Sequence, residues 1–121
     1  MNMLANLLVA LVAVLHLGFL VLEMFLWTTP FGLKTFGLTR EFAEQSRALA
    51  ANQGLYNGFL AAGLIWGLLS QQNGFEIQVF FLCCVITAGV FGAATAKKTI
   101  LFIQALPAAV ALALVLASRW A

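Results

Sequence analysis

From Leu4 to Trp27 the chain reads "LANLLVALVAVLHLGFLVLEMFLW", an apolar run interrupted by Asn6, His16 and Glu23. Three more apolar segments follow, roughly Ala50 to Leu69, Ile77 to Ala96 and Ile100 to Ser118. A helix needs about 20 residues to cross a bilayer, and each segment is close to that length. Composition points the same way: 64% of residues are hydrophobic, 8% are charged and none is Asp. A soluble domain carries about 25% charged residues, and so few charges cannot cover the surface of a soluble fold of this length. The expected class is therefore all-α, a four-transmembrane-helix bundle in a single domain over 1–121, with helices at about 4–27, 39–69, 77–96 and 99–118. The first segment has no Lys or Arg before it, exceeds the length of a signal h-region and lacks a clear cleavage site, so it reads as a retained helix. The net charge of +2, with the basic residues scattered, excludes a nucleic-acid binder.

The connections set the orientation. The first holds Lys34, Arg40 and Arg47, and the third holds Lys97 and Lys98. The opposite side has Arg119 alone, and "SQQNGFE" has no basic residue. The positive-inside rule places connections one and three in the cytoplasm and both termini outside, in a bacterial inner membrane. The first connection, "TTPFGLKTFGL", is rich in Gly, Pro and Thr and is expected at the interface, with Phe31 and Phe36 dipping into lipid. Thr39 suits an N-cap, with Glu41 and Glu44 early in the helix where its dipole favours acids. From Thr39 a helical pattern continues through Leu69, about 45 Å at 1.5 Å per residue, so the second helix should extend into the cytoplasm.

That helix contains "NQGLYNG", Asn52 to Gly58, which read alone resembles a loop ending in a turn dipeptide. A broken backbone in lipid leaves peptide groups unpaired, at several kcal/mol each, so the segment is expected inside the helix. Gly54 and Gly58 are then packing surfaces, as are Gly63 and Gly67, because small residues four apart let helices approach closely. Ala88, Gly92 and Ala96 in the third helix offer a similar face, and either set could serve a homodimer. Pro107 should kink the fourth helix.

The polar residues are the candidate site. Asn52, Tyr56 and, less closely, Gln53 and Asn57 share a face by spacing. His16 and Glu23 are seven apart, nearly two turns, and point the same way. A carboxyl in a span belongs in a protein interior, and an intramembrane ionisable group is a functional candidate by default. Counting depth from the cytoplasmic side sets Glu23 level with Asn52, Gln53 and Gln104, and sets His16 nearest Tyr56 and Asn57. Arg47 or Lys97 could reach inward to the carboxylate by snorkelling. The expectation is one polar pocket in the cytoplasmic half of the bundle. Adjacent Cys83 and Cys84 diverge around a helix and read as small apolar residues. One His and one membrane acid are too few for a structural zinc site, so no metal or other cofactor is expected.

"HLGFLVLEMFLW" in the first helix, "NQGLYNGFLAAGLIWGL" in the second and the short "AKKT" turn before the last helix together resemble the DUF1304 family of small bacterial membrane proteins. The resemblance covers essentially the whole chain and is most specific at NQGLYNGF. It implies four membrane helices with a recurring polar segment at Asn52, Gln53, Tyr56 and Asn57 and at His16 and Glu23. It implies no reaction.

Three functions fit these residues. The first is binding or transport of a small polar or cationic molecule, with Glu23 as a coupling carboxylate, as in other four-helix dimeric transporters of this size. The second is an enzyme acting on a lipid or quinone-like substrate, with His16 as acid/base oriented by Asn57, Glu23 tuning it and Tyr56 as proton donor. The third is a structural or subunit protein whose polar groups only fix helix packing. The first is favoured.

Overall fold

The computed structural model describes residues 2–120. Among them there is no strand. Six α-helices follow in order: α1 Met3–Met24, α2 Pro30–Phe36, α3 Arg40–Gln45, α4 Arg47–Leu69, α5 Gly74–Thr95 and α6 Leu106–Trp120, the last preceded by a π-helical turn, Leu101–Ala105. Three helical stretches are long and apolar enough to cross a membrane: Met3–Met24, Gly74–Thr95 and Leu101–Trp120. On α1 a buried row, Ala5, Val9, Val12 and His16, is backed by an exposed row, Leu4, Leu7, Leu11, Val14 and Val21. A helix apolar on both faces belongs in lipid, and this is a membrane protein.

The chain divides into two compact units, Met1–Val14 with Leu60–Ala121, and Leu15–Phe59. The core of the first unit is built from Ala5, Val9, Val12 and Ala13 of α1, Leu64 of α4, Leu82 and Val85 of α5, and Ala108, Ala111 and Val115 of α6. On α1, α5 and α6 its residues recur at three- and four-residue spacing, one buried stripe apiece. Alanine and glycine keep the backbones near one another. A Cβ at Gly89 would lie 2.8 Å from the Ala105 amide nitrogen, and one at Gly67 would lie 2.7 Å from Gln78 Cγ. At Gly63 a Cβ would run into the Phe81 ring. Gln78 is fully buried, and its amide donates to the Gly67 carbonyl at 3.1 Å, tying the end of α4 to the start of α5. At the same end Arg119 lies 4.4 Å over the Phe75 ring and 3.8 Å from Glu76.

The π-helical turn has a cause in the sequence. Pro107 has no N–H, and its ring would strike the carbonyl four residues back in a regular helix. The Leu106 N–H bonds instead to the Leu101 carbonyl, five residues back. Where a kink was expected at Pro107 the structure has this widened turn, beside the close approach of Ala105 to Gly89.

In the second unit, the connection expected to lie irregularly at the interface contains a helix of its own. Thr29 caps α2 by accepting from the Gly32 N–H at 3.2 Å, Pro30 occupies the first turn, and Gly37 closes it in the left-handed conformation at φ 65°. Proline at the start and glycine at the end are the ordinary signals for a helix; seven residues gave too few apolar repeats to show it. Phe31 is exposed, whereas Phe36 packs on Trp27 with ring centroids 4.9 Å apart. Thr39 caps α3 through the Phe42 N–H at 3.1 Å, as its position suggested.

The expected unbroken helix 39–69 is divided at Ser46, whose backbone turns to φ −98°, ψ 5°. The Ser46 hydroxyl donates to the Phe42 carbonyl at 2.7 Å and accepts from Trp27 Nε1 at 3.1 Å. Such a serine competes with the backbone ladder and bends a helix; here the tertiary bond to Trp27 holds it. NQGLYNG itself lies within α4, as expected.

Candidate functional site

Within Leu15–Phe59 the second half of α1 runs against the first half of α4, and glycine makes this approach close. A Cβ at Gly54 would lie 3.1 Å from Glu23 Cβ and 3.2 Å from the Leu20 carbonyl oxygen, and one at Gly58 would lie 2.7 Å from Leu20 Cδ1. The face of α4 that packs here carries Ala50, Gly54 and Asn57, all buried. Asn57 is the polar member of that row. Its Nδ2 donates to a Glu23 carboxylate oxygen at 2.6 Å. Hydrogen bonds to carboxylates are shorter and stronger than neutral ones, and this one joins two helices 34 residues apart in sequence.

Beside this pair is an open cavity of about 240 Å³, lined by Glu23 and Trp27 from the end of α1 and the turn after it, Phe42 and Ser46 from α3 and its cap, and Leu49, Ala50 and Gln53 from α4; Phe42, Leu49 and Gln53 form its exposed rim. Trp27 is fixed in it by the bond to Ser46. Glu23 is the acid of this wall. The cavity therefore offers one carboxylate, one primary amide and a largely aromatic and aliphatic lining.

The structure brings Glu23 together with Asn57, and Glu23 with Gln53 around the cavity. The depth count had set Asn57 beside His16; its hydrogen bond places it on Glu23, nearly two turns further along α1. Asn52 and Tyr56 project from another face of α4 and are exposed, Tyr56 stacking loosely on Phe59 with centroids 5.9 Å apart. The shared face inferred from spacing therefore splits, because the buried row follows 50, 54 and 57 while 52 and 56, about 40° from one another, lie on the opposite side of the helix. His16 is fully buried and meets Phe19 edge-on at 5.2 Å. Arg47 is exposed at the first turn of α4, and Lys97 is exposed in the turn after α5. Gln104 is half-buried in the π-helical turn, in the other unit. Among the described residues no three His, Cys, Asp or Glu side chains come together as a metal site. Cys83 and Cys84 are unbridged.

Trp27, Phe42 and Ser46 were not singled out from sequence. The signal available was a tryptophan about one helical turn after Glu23 and three after His16; what it bonds to is a tertiary fact. Gln78 was also missed, as a glutamine in an apolar segment gives no sign of which way it faces.

The family model described as "Protein of unknown function (DUF1304)" matches residues 10–116. The chain belongs to the DUF1304 family. Within this family match lie His16, Glu23, the NQGLYNG segment and every residue lining the cavity. A relative, "Uncharacterized protein YpaA" of Lactococcus lactis subsp. lactis (strain IL1403), is 31% identical over 106 residues, covering 86% of this chain and 89% of the relative. No solved structure matches the DUF1304 chain.

Proposed function

We propose that this chain is a multi-pass protein of the bacterial cytoplasmic membrane that binds or transports a small polar or cationic molecule at Glu23. The observation that carries this reading is the Asn57–Glu23 hydrogen bond of 2.6 Å beside a cavity lined by the same carboxylate. A carboxylate in an apolar span is rare and costly, and it marks a substrate or ion pathway more often than a packing device.

Four crossings complete the topology, with α4 as the fourth span. Its 23 residues correspond to about 35 Å at 1.5 Å per residue, enough for the hydrocarbon core. Connections one and three then face the cytoplasm, and so does the cavity, because Phe42 and Ser46 belong to connection one. His16, enclosed and against Phe19, takes a structural part. An acid/base role would require substrate to reach a fully buried ring.

Native mass spectrometry of the protein extracted gently from its own membrane, beside Glu23→Gln, tests the reading. A discrete bound mass in the wild type that is lost in Glu23→Gln is the expected result. Two equally empty, equally assembled samples would leave only the packing role.

A further inference from the structure

The cavity's lining narrows the ligand, and this inference rests on the reading of Glu23 as a binding group. A hard metal cation takes six or more oxygen ligands. Here the Ser46 hydroxyl already donates to Phe42 and accepts from Trp27, and one Glu23 oxygen already accepts from Asn57. What remains is the rest of the carboxylate and the Gln53 amide, set among Trp27, Phe42, Leu49 and Ala50. A bare inorganic cation would leave its hydration shell for too few oxygens. A neutral polar molecule would leave the carboxylate without a counter-charge. An anion is repelled. A primary ammonium would aim its three N–H donors to several sides, whereas only Glu23 and Gln53 offer free acceptors and the Trp27, Phe42 and Leu49 side chains offer none. An alkylated ammonium satisfies every wall: its charge is spread over apolar substituents, it needs no hydrogen bonds, it is attracted to the carboxylate, and tryptophan is the side chain that attracts such cations best. Size agrees, since about 240 Å³ lies below the range of roughly 300–1,000 Å³ typical for drug-sized ligands.

We infer that the Glu23–Trp27–Phe42 cavity is a site for a small alkylated organic ammonium, held between the Glu23 carboxylate and the aromatic rings. The cation could be a free metabolite or the headgroup of a lipid. Both present the same chemistry to the same walls.

Calorimetry on the full-length protein in phosphatidylglycerol nanodiscs, which carry no amine headgroup, tests this with choline and its neutral carbon isostere, 3,3-dimethylbutan-1-ol. Choline should bind at least about tenfold more tightly than the isostere, and Trp27→Leu should remove most of that preference. Equal affinity for the two, or no binding of choline, would overturn the inference, and this comparison needs no variant to fold. Competition by added phosphatidylcholine would assign the headgroup as the source; undiminished choline binding would assign the free cation; both support the site. If choline fails while the native mass still disappears in Glu23→Gln, the ligand class is wrong and the binding site stands. If neither is seen, both fall.

Discussion

A buried or half-buried polar atom is costly alone and nearly neutral when paired or removed together with its partner, and this asymmetry governs the behaviour expected of single residues here. Asn57→Leu strips the donor from Glu23 and should lower stability by about 1–3 kcal/mol, whereas the double change Glu23→Leu with Asn57→Leu should recover most of that loss. Reversible unfolding in mixed micelles measures both, and a coupling indistinguishable from zero would show that the 2.6 Å bond does not operate in the membrane. Gln78 offers the complementary case. Its Nε2 is paired with Gly67, but its Oε1 is buried without a partner among the described residues. Gln78→Met keeps the volume and removes the orphaned oxygen, so it should hold or raise the melting temperature. Gln78→Ala opens a cavity in a fully buried position and should lower stability by about 2–4 kcal/mol on core-truncation precedent.

At the level of helices, glycines separate into those that packing requires and those it does not. Gly54 faces the backbone of α1, with the Leu20 carbonyl 3.2 Å from where a Cβ would sit; Gly18 has nothing within 4 Å. Gly54→Val should therefore part α1 from α4 and abolish ligand retention, while Gly18→Ala should be neutral or slightly stabilising, since alanine loses less backbone freedom than glycine in a helix. Thermal denaturation of the two variants side by side gives the comparison. Gly37 is a different case: its φ of 65° at the end of α2 is a conformation that other L-residues adopt at a cost of about 1 kcal/mol or more. Gly37→Ala should loosen α2 without disturbing α1. Ser46 decides how α3 meets α4, because its hydroxyl serves the Phe42 carbonyl and the Trp27 indole at once.

For the molecule as a whole the controlling fact is the bilayer. Large apolar side chains such as Leu4, Leu7, Leu11, Phe80, Phe91 and Phe102 remain exposed along helices long enough to cross it, and only lipid can cover them without association. The proposed topology makes a definite expectation. In intact cells, with Cys83 and Cys84 replaced, a membrane-impermeant maleimide should label cysteines placed at Asn2 and Ser118 and should not label those at Lys34 and Lys98. Labelling at Lys34 would reverse the orientation and turn the cavity outward.

The sequence by itself determined the solvent, the helical class, three helices long and apolar enough to cross a membrane and the place of NQGLYNG inside a helix. These follow from counting apolar residues against bilayer thickness and from the need to pair every peptide group there. It also showed the Thr39 cap and the use of Gly54, Gly58, Gly63 and Gly67 as contact surfaces, because those signals are local. It pointed to Glu23 and Asn57 as candidates without joining them. The rotation of α4 about its axis is what selected Asn57 over Asn52 and Tyr56, and that rotation is set by which small residues let α1 approach, a property of two helices together. The break at Ser46 and the cavity beside Trp27 likewise exist because side chains distant in sequence bond to one another. Such bonds leave no period in the chain, and only the tertiary structure decided them.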